Sequence, residues 1–182
     1  PVPVLSYAVR HLNAAAGVVI TASHNPAKFN GYKVYGPDGC QITPEAAEAI
    51  QAAIKEIDMF TDIRYMDYID GLAYKMIRNI PGSITDDYIA KVKSQSVLTE
   101  NDNVNKEIKI VYTPLNGAGL EPVRRALIES GYVNLEIVEE QQYPDGSFTT
   151  CPVPNPEDRD AFALGIEQAQ ESGADLILAT DP

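Results

Sequence analysis

The spacing of apolar residues divides the chain into two regions of unequal regularity. In residues 5–12, LSYAVRHL, Leu5, Ala8, Val9 and Leu12 recur three or four positions apart, the repeat of one helical face. Gly17 stands where that helix is expected to end, and GVVIT (17–21) follows as a short apolar run of buried-strand type. NGYKVYGPDGCQI (30–42) reads as a hairpin, two short strands around Gly36-Pro37-Asp38-Gly39. Thr43-Pro44 then offers an N-cap and a first-turn proline for a helix through about Ile57, with Ile50, Ile54 and Ile57 as its apolar stripe. From Asp58 to Ser83 no clean period survives. Pro81-Gly82 is a natural boundary, with a short helix starting at Thr85-Asp86-Asp87, and 94–107 reads as a polar loop.

The second region is more regular. IKIVYT (108–113) predicts a strand, Leu120 to Ser130 a helix closed by Gly131, and NLEIVEE (134–140) a second strand. After the loop QQYPDGSFTTCPVP, Asn155-Pro156-Glu157 supplies an N-cap and a proline at the first helical position. That helix carries Phe162, Ile166 and Ala169 on one face, stops near Gly173, and leads into the strand DLILAT. Strands alternating with helices at this spacing imply right-handed crossovers and a largely parallel sheet. Both regions are therefore expected to be α/β.

Composition narrows what such a chain can do. Its 182 residues are 45% hydrophobic and 22% charged, a globular balance, and no apolar run is long enough to span a membrane. The net charge of −12, from 14 Lys+Arg against 26 Asp+Glu, argues against general nucleic-acid binding, which rests on phosphate neutralisation. A small phosphorylated ligand is compatible with it, because a few local cations serve one phosphate. Cys40 and Cys151 form no CxxC pair and read as thiols of a reducing compartment, which makes a cytoplasmic location the expectation. No basic-then-apolar leader opens the chain. PVPVLSYAVR and DLILATDP both read as cut ends, so a fragment is expected.

The chemistry concentrates in ITASHNP (20–26). Asn25-Pro26 stops a strand, so Ser23 and His24 fall on a sharp loop at the strand's end, where α/β folds place their sites. Ser23 is either a reactive hydroxyl or a turn former; no G-x-S-x-G elbow is present to make it a hydrolase nucleophile. Lys33, on the following strand, is either solvent-facing or a proton-transfer group aimed at the Ser23 loop. Arg10, His11 and Lys28 are further sources of local positive charge. Asn116-Gly117-Ala118-Gly119 superficially suggests dinucleotide binding. Pro122 stands where G-x-G-x-x-G needs its third glycine, and a tight strand-to-helix turn is the better reading. Asp181, ending the last strand, is either a turn residue or an oxygen ligand for Mg²⁺.

Taken together, T-A-S-H-N-P followed by N-G-Y-K-V-Y resembles the active-site serine segment of the α-D-phosphohexomutases. YTPLNGAG resembles the opening of that family's second domain, VPNPED its later Pro-Asn-Pro segment, and ILATDP the start of its metal loop. NGYKVYGPDG with TDP is most similar to the phosphoglucomutase and phosphopentomutase branch, whose loop runs D-P-D-x-D-R rather than D-G-D-x-D-R. The resemblance implies three-layer helix-sheet-helix architecture in two partial domains. Residues 1–82 would be the later part of domain 1, and 83–182 domain 2, truncated at the metal loop. The family has four domains, so the sugar-reading and distal phosphate-binding parts fall outside the similarity.

The resemblance also implies roles. Ser23 would be the phosphoserine, Lys33 the general acid/base, and His24 a loop histidine at the phosphoryl group; Arg10 and Asn25 would bind substrate phosphate. Ser23 and Asp181 would hold Mg²⁺, with two further aspartates after Pro182. The implied reaction interconverts glucose 1-phosphate and glucose 6-phosphate through glucose 1,6-bisphosphate, the sugar phosphate being the partner rather than nucleic acid or membrane. No oligomeric state follows. Phosphomannomutase, phosphopentomutase and a non-catalytic phosphate-binding α/β module are the alternatives.

Overall fold

The computed structural model of the chain describes residues 1–99 and 101–182. Its first unit opens with helix α1, Val2–His11, which packs on β1, Gly17–Ile20. β1 pairs antiparallel with β2, Tyr32–Tyr35, placing Val19 opposite Lys33. Ala8 and Val9 are buried at the contact between α1 and the strands. Gly17 is not the helix stop that its position suggests. α1 ends at Leu12, the chain exits through the left-handed Asn13 (φ 49°), and Gly17 opens β1. An asparagine tolerates that conformation better than most residues, so it ends the helix four residues earlier.

The hairpin expected over 30–42 forms only in part. The turn is present, with Gly39 N–H donating to the Gly36 carbonyl, but its second arm is a single bridge between Tyr35 and Gln41. β2 finds its ladder on β1 instead, so the first unit's sheet is antiparallel. α2, Pro44–Lys55, begins as expected: the Thr43 hydroxyl caps Ala46 N–H and proline takes the first turn. Its stripe of Ile50, Ile54 and Ile57 stays exposed, and no residue of α2 is buried. A short helix, α3, Tyr68–Ala73, occupies the aperiodic stretch, capped by Asp67, whose carboxylate accepts from Ile69 and Asp70 N–H.

α4, Ser83–Lys93, ties the units together. It starts two residues before the expected Thr85 and packs on α1 on one side and on α5, Leu120–Glu129, on the other. Ile84 and Ile89 are its buried residues, and Tyr88 meets Tyr7 of α1 edge-on. On its other side Arg125 reaches Asp86 at 2.8 Å, and Lys93 reaches Glu129 at 3.1 Å. Of the polar loop expected over 94–107, Glu100 lies outside the described residues.

The second unit is a parallel sheet of β3, Ile110–Thr113, β4, Leu135–Ile137, and β5, Leu176–Ala179, in the order β4-β3-β5. β3 is central and buried on both faces, as an unbroken Ile-Val-Tyr-Thr run requires in a parallel sheet. α6, Ala163–Ser172, covers one face, Ala169 joining Val111 and Val138 in the core, and it ends at the left-handed Gly173. This helix begins later than Asn155-Pro156 suggests. Asn155 caps only a turn, its side-chain oxygen accepting from Glu157 N–H, and a 3-10 segment, Arg159–Phe162, started by the Asp158 carboxylate, precedes α6. Two short polar side chains three residues apart each satisfy a separate turn, and the second delays the α-helix.

Candidate functional site

β1 ends at Ile20, and the next residues form a tight loop from local hydrogen bonds. Thr21 N–H donates to the Gly31 carbonyl, Ser23 N–H to Thr21 Oγ1 at 3.0 Å, and Asn25 N–H to the Ala22 carbonyl. The Asn25 amide donates a second bond to that carbonyl at 2.8 Å. These bonds hold Ser23 in the left-handed region at φ 55°, a conformation that costs a non-glycine residue on the order of 1 kcal/mol. The result is a hydroxyl turned away from its own strand.

That hydroxyl meets the far end of the chain. Ser23 Oγ donates to the Asp181 carboxylate, 2.8 Å from Oδ1 and 3.0 Å from Oδ2. His24 Nδ1 lies 2.8 Å from the same Oδ2, with the carboxylate as acceptor. Ser23, His24 and Asp181 thus converge, although 158 positions separate the first and last. All three keep access to solvent. His24 and Asp181 side chains are 45% and 42% exposed, enough for a ligand to reach them.

A cavity of about 650 Å³ runs beside this cluster between the two units. Its walls are apolar, from Val19, Ile89 and Val123 among others, and Ser23, Lys33, Thr180 and Asp181 supply polar groups. Lys33 therefore shares a concavity with Ser23, which the alternation on β2 alone left undecided. Arg10 does not come to the site. Its guanidinium Nε donates to the Ser6 carbonyl at 3.4 Å and lies over the turn at Gly39, because the last turn of α1 points toward that turn. Asn25 sits beside Ser23, and its amide donates one bond to the loop backbone. His11 faces Asp87 at 3.9 Å, and Lys28 lies over the Phe29 ring.

Asp181 is itself held from the second unit. Thr180 N–H donates to the Thr113 carbonyl, Tyr112 Oη lies 2.9 Å from Thr180 Oγ1, and Ala118 N–H donates to the Pro182 carbonyl. Burial pushes the Tyr112 hydroxyl's pKa up, against the smaller opposing effect of the bond to Thr180. Thr21, Tyr112 and Thr180 are the supporting residues that sequence reasoning missed. Their hydrogen-bonding side chains carry no signal until the fold pairs them.

The donor set fits a hard cation in kind: a carboxylate and a hydroxyl, both oxygen, meet within hydrogen-bond range. Among the described residues no group of three or more His, Cys, Asp or Glu side chains that could hold a metal converges. No described helix is long and apolar enough to cross a membrane.

Two family models match the chain: phosphoglucomutase/phosphomannomutase alpha/beta/alpha domain I over residues 1–60, and domain II over 86–182. A phosphoglucomutase of Staphylococcus saprophyticus is 39% identical over 180 residues, and one of Staphylococcus aureus strain RF122 is 38% identical over 181. Each alignment covers 99% of this chain and 32% of the relative, so the chain spans about a third of the length of these relatives. Among solved structures, a Thermus thermophilus protein named as a phosphomannomutase superposes with a TM-score of 0.73 at 24% identity. That superposition covers 100% of this chain and 37% of the other, and shows the α/β fold.

Proposed function

The chain belongs to the phosphoglucomutase/phosphomannomutase family, and on that premise we propose that the complete protein is a phosphoglucomutase-type phosphohexomutase with Ser23 as its phosphoryl carrier. The observation that carries this reading is the approach of Ser23 Oγ to Asp181, 2.8 Å apart beside the cavity that Lys33 also lines. We place the division between the two units at Pro81-Gly82, just before α4.

In this reading a hydroxyl of a hexose monophosphate attacks the phosphorus on Ser23. The Oγ–P bond breaks, a sugar O–P bond forms, and the product is glucose 1,6-bisphosphate. Lys33 accepts the proton that the attacking hydroxyl loses and returns it on the second transfer. The departing Ser23 Oγ takes a proton from water and gives it back when it is phosphorylated again, so protons balance over the cycle. The bisphosphate then returns its other phosphate to Ser23 by the reverse sequence. Net conversion is between glucose 1-phosphate and glucose 6-phosphate. Such transfers depend mainly on positioning and charge neutralisation.

The Ser23–Asp181 bond belongs to the unphosphorylated hydroxyl, because phosphorylation removes the donated proton and sets an anion against a carboxylate. Asp181 and Ser23 are the residues that would hold Mg²⁺, which would supply positive charge beside the transferring group. His24 Nδ1 lies 2.8 Å from Asp181 Oδ2 and would orient that carboxylate beside the phosphoryl group. Arg10, at its place over Gly39, is left out of substrate binding, and Asn25 acts by shaping the loop.

Peptide mass mapping of the complete protein, incubated with glucose 1,6-bisphosphate and Mg²⁺, tests the reading directly. Phosphate on Ser23 is the expected result. A bare Ser23 after that incubation rejects it in favour of a non-catalytic phosphate-binding module. Turnover compared on glucose, mannose and ribose 1-phosphates then separates phosphoglucomutase from phosphomannomutase and phosphopentomutase, with glucose expected to lead.

A further inference from the structure

The 114–119 loop has no chemistry of its own in the proposed reaction, yet its construction is unusually determined. Leu115 and Asn116 are consecutive non-glycine residues in the left-handed region, at φ 50° and 56°. Asn116 is 6% exposed and fully engaged. Its amide donates to the carbonyls of Glu140 and Tyr143, its side-chain oxygen accepts from Thr150 Oγ1, and its backbone N–H donates to the Gln141 carbonyl. Two strained residues persist in this form only where the surroundings over-determine them.

The held loop carries Gly117 and Gly119, and both face the Asp181 segment. A Cβ on Gly117 would fall on the backbone of Pro182, 2.6 Å from its carbonyl oxygen. A Cβ on Gly119 would fall against Thr180 Oγ1 and 2.6 Å from Tyr112 Oη. Gly119 has an ordinary helical φ of −77°, so space, not backbone freedom, is what its lack of a side chain supplies. The Gly-x-Gly pair, which resembles half of a dinucleotide motif, thus receives a chain segment rather than a pyrophosphate.

We propose that Tyr112, Gly117 and Gly119 are positioning residues for Asp181, clamping Thr180 on one side of it and Pro182 on the other so that its carboxylate faces Ser23. The clamp has two jaws: the Tyr112 Oη–Thr180 Oγ1 bond at 2.9 Å, and the Ala118 N–H to Pro182 carbonyl bond at 3.1 Å. Tyr112 is fully buried on the central strand, the stiffest place in the unit from which to hold a ligand-bearing loop. The inference rests on the proposed role of Asp181 and adds what sets its geometry.

The test uses the complete protein with Mn²⁺ as probe, its binding titrated by electron paramagnetic resonance on wild type, Tyr112→Phe, Thr180→Val and the double variant. Each single variant is expected to bind Mn²⁺ about tenfold more weakly, the scale of losing a ligand's outer support. The double variant is expected to be no weaker than either single, because both break one bond. Turnover number should fall by a similar factor with the sugar-phosphate KM unchanged. Mn²⁺ affinity unchanged in both singles, or losses that add in the double, overturns the proposal. Should Tyr112→Phe fail to fold, the partly exposed Thr180→Val reads the same bond alone. Wild-type protein that binds Mn²⁺ but shows no turnover and a bare Ser23 rejects the mutase reading instead, and the titrations still decide the clamp.

Discussion

Two loops leave the ends of two strands and meet the same carboxylate segment, and they are built in opposite ways. The Ser23 loop after β1 is partly exposed, and the bonds that fold it on itself span two or three residues, between Thr21 and Asn25. The Asn116 loop after β3 is buried, and its side-chain bonds reach 24 to 34 residues away, to Glu140, Tyr143 and Thr150. Both put non-glycine residues in the left-handed region. In the proposed reaction the first presents a hydroxyl that exchanges its partner during turnover, and local bonds suit that work. In the proposed clamp the second presents backbone to the segment that carries Asp181, and long-range bonds hold it.

The contrast can be broken at several points. The largest effect is expected at Ser23: Ser23→Ala in the complete protein should lower mutase turnover by roughly 10⁴-fold or more. Its thermal melt should stay within about 1 kcal/mol of wild type, since one partly exposed bond is lost. Near-normal turnover would move Ser23 back to being only a turn residue. Next comes Lys33→Ala, where steady-state kinetics should show the turnover number down by about 10²–10⁴-fold with the KM little changed. A KM effect alone would make Lys33 a binding group.

Stability measurements sharpen the other side. Asn116→Ala should cost about 2–3 kcal/mol in urea denaturation, because it removes the bonds that a buried side chain makes to Glu140, Tyr143 and Thr150. Asn25→Ala, at an exposed turn, should cost about 1 kcal/mol or less. Equal costs at the two asparagines would erase the distinction between the loops.

The smallest effect is a pH dependence in the packing of α4 on α5. Lys93 and then Arg125 hold the Glu129 carboxyl below its ordinary value of 4.5. A folded-state pKa below the unfolded one means this contribution is fully present above about 4.5 and is lost as pH falls through the lower folded value. Glu129→Gln should therefore flatten the acid limb of the stability curve slightly and leave neutral pH almost unchanged, because the pair is on the surface.

Much of the architecture follows from the chain alone. The β3-α5-β4 and α6-β5 order, the Thr43-Pro44 helix start, and the Gly173 stop are local, and apolar periodicity with capping chemistry specifies them. The candidate serine, histidine, lysine and aspartate were legible too, through motif and strand-end position. What local pattern left open, or set wrongly, was partnership. Asn155 and Asp158 each satisfy a separate turn, and only the packed chain shows that α6 starts after both. The Ile50-Ile54-Ile57 stripe predicts a buried face, but an amphipathic helix specifies a face and not its cover. Arg10 has the right charge for a phosphate, yet the direction of α1 takes it to Gly39.

The sequence by itself determined most of the helix and strand segments and which hydroxyl ends β1 in a sharp turn, because those depend on neighbours a few residues apart. Only the tertiary structure decided that this hydroxyl meets Asp181, that Lys33 shares its cavity, and that Gly117 and Gly119 seat the aspartate's loop. Those contacts join residues up to 158 positions apart, across two units whose relative placement is held by α4 and its packing on α1 and α5. Local propensity ends within a few residues of each position. The packing of layers selects which strand ends face one another, and with them the chemistry.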